Sequence, residues 1–194
     1  MKQESSTPVE ISAEMTPNPN TIKFVVEREL LESGSRNFPS LQTAQGSPLP
    51  EALFRIPAVA GVLIGTHFVT VTKTAGADWN LLAPEIIDGL RLFFKTSQNV
   101  VSDRSSQSSL NPAANEAEEK IRQILDEEIR PAVARDGGDI VFYGYENGVV
   151  KLHLQGSCSS CPSSVMTLKM GIETRLRQAI PEIKEVVQVN SLLT

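Results

Sequence analysis

The sequence has few of the residues on which several classes of protein depend. Aromatic residues make up 5% of the 194 residues, which leaves little surface on which the bases of single-stranded nucleic acid could stack. Lys and Arg number 18 against 23 Asp and Glu, and no concentrated basic stripe is present, so no nucleic-acid partner is expected. No apolar run approaches the ~18 residues of a membrane span, so no membrane association is expected either.

Cysteine is also scarce, because the chain has two, Cys158 and Cys161, with only two residues between them. A pair so close together cannot cross-link distant parts of a fold, which excludes a structural disulfide framework. The N-terminal residues MKQESS lack the apolar stretch of a secretory signal, and they are not the Arg-rich, acid-poor sequence of a transit peptide. The expected location is therefore the cytoplasm.

A polar segment divides the chain. Residues 102–115 read SDRSSQSSLNPAAN and contain almost no large apolar side chain, so they cannot bury enough surface to offset the entropy cost of becoming ordered. We predict a flexible linker over 99–115. It would join an N-terminal domain over 11–98 to a C-terminal domain over 116–194.

The N-terminal domain is predicted to be α+β, with helices packed against a small sheet. Residues 21–26 are rich in β-branched and aromatic side chains and indicate a strand, and 59–74 indicate a hairpin. Helices are predicted from Pro48, a residue suited to the first helical position, and over 82–94, where apolar residues recur at helical spacing. Residues 32–47 indicate a long loop that has room for a short strand.

The C-terminal domain is predicted to have the order α-β-β-α-β. Apolar residues at helical spacing up to Ile129 indicate the first helix, and Pro131 should kink or restart it. The pair Asn147-Gly148 is a strong hairpin signal, because both central residues of a type I′ turn need positive φ. We predict strands over 140–145, 149–155 and 183–189, and a second helix over 162–179.

The two cysteines are predicted to lie between the end of a strand and the start of a helix. Free backbone N–H groups and the positive end of the helix dipole favour thiolates there, so a lowered cysteine pKa is expected. Between Gly156 and Leu168 the cysteines are the only ionisable side chains. The Ser and Thr hydroxyls and backbone amides of this stretch can hydrogen-bond to the sulfurs of a metal cluster.

A single Cys-x-x-Cys motif is compatible with four kinds of chemistry. The cysteines could be small buried apolar residues, or a thiol–disulfide exchange site, although the preceding strand belongs to a hairpin and not to the βαβ pattern of thioredoxin-like sites. A closed zinc site and an iron–sulfur cluster each take four ligands. One chain has two cysteines, so a second chain would have to supply the other two. The spacing alone does not separate zinc from iron–sulfur.

Several separated motifs occur in the order found in a known family. In the C-terminal domain they are Ile129-Arg130-Pro131, Asp136-Gly137-Gly138-Asp139, LQGSCSSCPSS over 154–164, Thr167-Leu168 and Gly171-Ile172-Glu173. On these motifs the domain resembles the NifU-like C-terminal domain over essentially its whole length. The preceding domain resembles the Nfu N-terminal domain through MTPNPNT over 15–21, Lys23-Phe24, Ser47-Pro48-Leu49, Leu53-Phe54, FVTVTK over 68–73 and Asp78-Trp79.

Together these resemblances imply an Nfu-type iron–sulfur cluster carrier, a metal-binding assembly protein and not an enzyme. Such proteins hold a labile [4Fe–4S] cluster between the two chains of a homodimer, and they pass it on from a donor scaffold to apo-proteins. The resemblance implies that Cys158 and Cys161 are the cluster ligands. The cysteine-containing scaffold module of full NifU has no counterpart here, so a role specific to nitrogen fixation is not implied.

The other residues with chemical potential are expected to have structural roles. His153 should face solvent on the polar side of a strand, and the carboxylates of Asp136 and Asp139 should cap or shape a turn. Met166 and Met170 are expected to pack in the core or at a dimer edge, with a docking patch for recipients as the alternative. In the N-terminal domain, Trp79 is expected to pack against the core.

Overall fold

The computed structural model describes residues 9–97, 99–101, 116–159 and 162–189. The chain divides into two compact units, Met1–Ser105 and Ser106–Thr194, and each unit combines a sheet with helices. The predicted α+β class is therefore confirmed. Most of the predicted linker lies outside the described residues, and the boundaries 11–98, 99–115 and 116–194 stay predictions.

Among the described residues, the first unit has five antiparallel strands in the order β1-β2-β5-β4-β3. The predicted strand over 21–26 and the predicted hairpin are present, and a short strand lies within the expected loop. The first strand was not predicted, because only Ile11 of its five residues is buried and no alternation is visible. The bounds are β1 Ile11–Met15, β2 Thr21–Val26, β3 Arg36–Phe38, β4 Val59–Ile64 and β5 Phe68–Lys73.

The helices of the first unit pack apolar side chains against one face of this sheet, and these side chains form part of the core. They are α1 Leu41–Ala44, α2 Pro48–Phe54 and α3 Trp79–Thr96. The Asp78 side chain caps α3 by accepting a hydrogen bond from the N–H of Asn80. Trp79 packs against the core cluster as expected, and its Nε1 donates to the carbonyl of Pro19 at 3.0 Å.

The second unit has the predicted order α-β-β-α-β. Its described strands are β6 Gly138–Glu146, β7 Val149–Gly156 and β8 Glu185–Gln188, in the order β6-β7-β8. The turn between β6 and β7 has Asn147 at φ 54° and Gly148 at φ 87°, the positive values that a type I′ turn requires. Strand β8 runs parallel to β7, so β7, the following helix and β8 form a βαβ unit.

The helices of the second unit cover the inner face of its sheet. Helix α4 (Glu116–Ile124) passes through a π-helical turn, Leu125–Ile129, into α5 (Arg130–Arg135), and the irregular turn comes just before Pro131, where a kink was predicted. Helix α6 (Pro162–Ala179) packs Ile172 and Leu176 into the core. In the described part of the chain, no helix has both the length and the apolar character needed to cross a membrane.

Candidate functional site

Cys158 lies in the connection between β7 and α6. Strand β7 ends at Gly156, whose φ of 64° turns the backbone in a way that favours glycine. A short 3₁₀ turn, Ser157–Ser159, follows and carries Cys158. Cys161, the second predicted ligand, lies outside the described residues. The connection falls at the carboxyl end of β7 in the βαβ unit, an edge where many ligand sites of parallel sheets are found.

The sulfur of Cys158 rests on the backbone of Gly138. Gly138 is the first residue of β6 and pairs with Gly156 across the sheet. A Cβ atom at residue 138 would lie 2.6 Å from Sγ of Cys158 and 3.0 Å from the carbonyl oxygen of Gln155. Only glycine leaves room for this sulfur, so Gly138 is a site residue that sequence reasoning missed. The signal for Gly138 in the sequence was the Gly137-Gly138 pair. Gly137, at φ 75°, is enough to end α5, so the second glycine has a separate role.

Hydrogen bonds from two serines hold the turn in place. The Ser157 hydroxyl, 2% exposed, donates to the carbonyl of Asp136, and the Ser157 N–H donates to the carbonyl of Gly137 at 3.2 Å. The Ser159 hydroxyl donates to the carbonyl of Gly156 at 2.8 Å. The turn is thereby fixed both to the end of α5 and to the end of β7.

The Cys158 thiol is harder to ionise than a free cysteine, contrary to expectation. Its side chain is buried, and burial raises its pKa; the Ser157 hydroxyl partly offsets this, while the negative charges of Asp136 and Asp139 add to it. The prediction of a lowered pKa is therefore wrong for Cys158. Burial is the main reason. Cys158 also lies four residues before the first residue of α6, and the effect of a helix dipole fades within one turn.

This electrostatic result bears on the thiol–disulfide alternative. The strand before the cysteines was expected to lack the βαβ pattern of thioredoxin-like sites. That argument against the alternative is wrong, because β7 does belong to a βαβ unit. The raised pKa instead weighs against Cys158 as an attacking thiol, because the thiolate is the nucleophile in disulfide exchange.

A half-buried ion pair supports β6, the strand on which the sulfur rests. Nε and Nη2 of Arg130 donate to the two carboxylate oxygens of Asp139 at 3.0 and 2.9 Å, and Nη1 of Arg130 also contacts Asp126 at 3.0 Å. These carboxylates raise the pKa of Arg130, which stays charged. The prediction that Asp139 serves turn chemistry is wrong, because it is 6% exposed and forms a paired charge. Asp136 is the C-cap residue of α5, where its backbone N–H, and not its carboxylate, donates to the last carbonyls of the helix.

The remaining candidate residues lie away from the sulfur or face solvent. His153 is half-buried on the outer side of β7, where its Nδ1 lies 2.8 Å from the carbonyl oxygen of Val189 and its ring meets Tyr143 edge-on. Met166 and Met170 are 67% and 64% exposed, so the expectation of core packing is wrong for both. Within the described ranges, no group of three or more His, Cys, Asp or Glu side chains could hold a metal ion.

Two family models match the chain, one for each unit. Residues 121–187 match the NifU-like domain, and residues 11–99 match the family described as scaffold protein Nfu/NifU N terminal. Cys158, Gly138 and the Arg130–Asp139 pair all lie within the NifU-like match.

Similar proteins match across both units. A protein of Drosophila ananassae named NFU1 iron-sulfur cluster scaffold homolog, mitochondrial, is 44% identical over 92% of this chain and 64% of its own length. The protein of the same name in Drosophila virilis is 41% identical over 97% of this chain and 64% of its own length. A solution structure of a NifU-like protein from Saccharomyces cerevisiae is 27% identical and covers 53% of this chain and 93% of its own, with a TM-score of 0.47.

These relatives correct the expected location. They are named as mitochondrial proteins, so the inference of a cytoplasmic protein is wrong. It was drawn from the first residues of the sequence, yet this chain spans about two thirds of the length of the relatives that it matches. The beginning of this sequence therefore carries no information on a targeting segment.

Proposed function

We propose a function for this chain from one premise: it belongs to the family that joins an Nfu N-terminal domain to a NifU-like domain. Its relatives are named as iron–sulfur cluster scaffolds. The proposed function is that of a non-enzymatic iron–sulfur carrier in the mitochondrion, which takes a cluster from a donor scaffold and passes it to apo-proteins.

The cargo is a [4Fe–4S] cluster held between two chains by Cys158 and Cys161 of each. Such a cluster takes four thiolates, and one chain has two cysteines in all. The observation that carries this proposal is that the Cys158 sulfur packs directly against Gly138. The turn that holds Cys158 is fixed by serine hydrogen bonds and has no other ionisable side chain. Ligands have to lose their protons on binding a metal, so loading the cluster releases the proton of Cys158.

Transfer is an exchange of ligands. A thiolate of the recipient forms a bond to one iron as the bond from that iron to a cysteine of the carrier breaks, and successive exchanges move the cluster without a net transfer of electrons. Division of the ligands between two chains makes release feasible, because separation of the chains removes half of the thiolates together.

The N-terminal domain over 11–98 has no cysteine, so its role is the recognition of donors or recipients. A linker over 99–115 lets this domain search for a partner while the cluster domain over 116–194 stays assembled. Once the N-terminal domain has bound a partner, the linker raises the effective concentration of that partner at the cluster domain.

Anaerobic reconstitution with iron and sulfide tests this function. The wild-type chain should bind iron and sulfide in equal amounts, with the broad visible absorbance of a cluster, and Cys158→Ser or Cys161→Ser should abolish both. Ser12→Ala is the control, because Ser12 is an exposed serine on β1 in the other unit and its replacement leaves both thiols and their turn intact. Iron retained in either cysteine variant would contradict the ligand assignment. Zinc in anaerobically purified protein, or insulin reduction by the cluster-free chain, would favour the zinc or redox alternatives.

A further inference from the structure

The outward side of helix α6 is exposed and mostly uncharged. Over 165–176, all of which the structure describes, the exposed residues are Met166, Thr167, Met170, Gly171 and Thr174, and none of these five is charged. We name this surface the α6 face. A surface helix normally turns charged and polar residues away from its buried stripe, so an outward side with two exposed methionines and one exposed charge, Arg177 in the last turn, needs a reason.

The charged residues of α6 beside this face are engaged by the chain itself. Arg177, exposed in the last turn, pairs with Glu173 at 2.9 Å and donates to the carbonyl of Ile183 at 3.2 Å. Lys169 pairs with Glu185 at 3.4 Å, and Arg175 forms two hydrogen bonds to the carboxylate of Glu128. Glu173 accepts a hydrogen bond from the N–H of Val186 at 3.0 Å. The fold thus diverts three charges from the middle of the helix toward its own strand and helix neighbours.

Gly171 adds a second, independent observation. A glycine inside a helix is less favourable than alanine by about 1 kcal/mol. Apart from its chain neighbours and the adjacent backbone of α6, no described atom lies within 4 Å of the position that a Cβ at residue 171 would occupy, so packing against other parts of this chain does not require the glycine. Its absent side chain instead leaves the backbone of α6 open to close approach by another surface. The two methionines beside it are flexible and adapt to an irregular partner.

The position of the face identifies the occupant. Helix α6 begins at Pro162, directly after the second proposed ligand, and at 1.5 Å per residue Met166 and Met170 lie about 6 and 12 Å further along its axis. Two chains that share a cluster at this end must bring the two helix starts together. Two cysteines on each side cover far less than the roughly 1,200 Å² of a small specific interface, so adjoining surface has to supply the rest.

We propose that the α6 face packs against the same face of a second copy of this chain when the two share a cluster. This inference rests on the proposed function. The contact is isologous, because both copies contribute the same residues. It joins the two halves of a site that is incomplete in either copy alone, and it shields the shared cluster from solvent.

Charge complementation tests the interface. One variant carries Met166→Glu with Met170→Glu, and the other carries Met166→Lys with Met170→Lys. Each is reconstituted alone and as an equal mixture, and native mass spectrometry measures the cluster-bound dimer, with circular dichroism as a check on folding. Leu92→Glu is the matched control, because Leu92 is also 64% exposed but lies on α3 in the other unit.

Each variant alone should form at least about tenfold less cluster-bound dimer than wild type, because like charges then face each other across the contact. The mixture should restore the cluster as a heterodimer of one Glu chain and one Lys chain, and Leu92→Glu should behave as wild type. Wild-type binding by either variant alone, or a mixture that stays empty, would overturn the inference. So would variants that hold the cluster but fail to pass it to an apo-ferredoxin, since the face would then dock recipients. A wild-type chain that binds no cluster would instead refute the proposed function.

Discussion

The substitution Gly138→Ala should separate cluster binding from folding. The added Cβ would lie 2.6 Å from Sγ of Cys158, which is 0.8 Å short of the closest ordinary contact of 3.4 Å. It would also lie 3.0 Å from the carbonyl oxygen of Gln155, and that oxygen is held in the β6–β7 ladder. The cysteine side chain therefore has to move, by more than the roughly 0.5 Å that a ligand constellation tolerates.

The expected effect on stability is smaller than the effect on binding. Overpacking costs about 1–3 kcal/mol, and replacing glycine by alanine returns about 0.4–1 kcal/mol by restricting the unfolded chain. Gly138→Ala should therefore lower the free energy of unfolding by no more than about 2.6 kcal/mol in urea titrations, and the protein should remain folded.

Iron bound per chain after anaerobic reconstitution is the decisive readout for this variant. Gly138→Ala should hold much less iron than wild type, whereas Gly61→Ala should bind normally, because a Cβ at residue 61 meets its nearest atom at an ordinary 3.5 Å. A folded Gly138→Ala protein with wild-type iron content would refute the argument that the sulfur must rest on this glycine.

Three further predictions concern the second unit. Arg130→Met should lower the free energy of unfolding in urea by about 1–3 kcal/mol, because it removes the charge and both hydrogen bonds that Arg130 gives to the buried carboxylate of Asp139, while Arg130 itself is partly exposed; no loss of stability would contradict this. Gly148→Ala should cost at least about 1 kcal/mol in the same assay, because φ is 87° and a Cβ would lie 2.9 Å from a backbone carbonyl oxygen. The pKa of Cys158 is raised in the folded state, so the cluster-free protein keeps that proton to higher pH than the unfolded chain. Its free energy of unfolding should therefore fall as pH rises through 9.0 and beyond. The free energy of unfolding of Cys158→Ser should fall less steeply over the same range, and equal slopes would refute the assigned shift.

Local patterns were sufficient to predict most of the elements. The turn at Asn147-Gly148 was predictable because its backbone conformation depends on two adjacent residues. The stripe of Ile172 and Leu176 on α6 was predictable because helical periodicity records burial directly. Strand β1 was not, because it is an edge strand with one buried residue and leaves no periodic trace.

The parts of the site that sequence reasoning missed depend on contacts between distant residues. The motif placed Cys158 between a strand and a helix, but its close approach to Gly138 joins residues 20 positions apart. The pairing of Arg130 with Asp139 depends on how α5 meets β6. The direction of the Cys158 pKa shift depends on burial, and the helix-dipole argument considered only its proximity to α6 in sequence.

The most direct test of the central claim is the number of chains that share one cluster. Native mass spectrometry of the reconstituted protein under argon should show a cluster-bound species whose mass equals two chains plus one [4Fe–4S] core, together with cluster-free chains. A complete cluster carried by a single chain would contradict the claim, because one chain has only two of the four thiolates required.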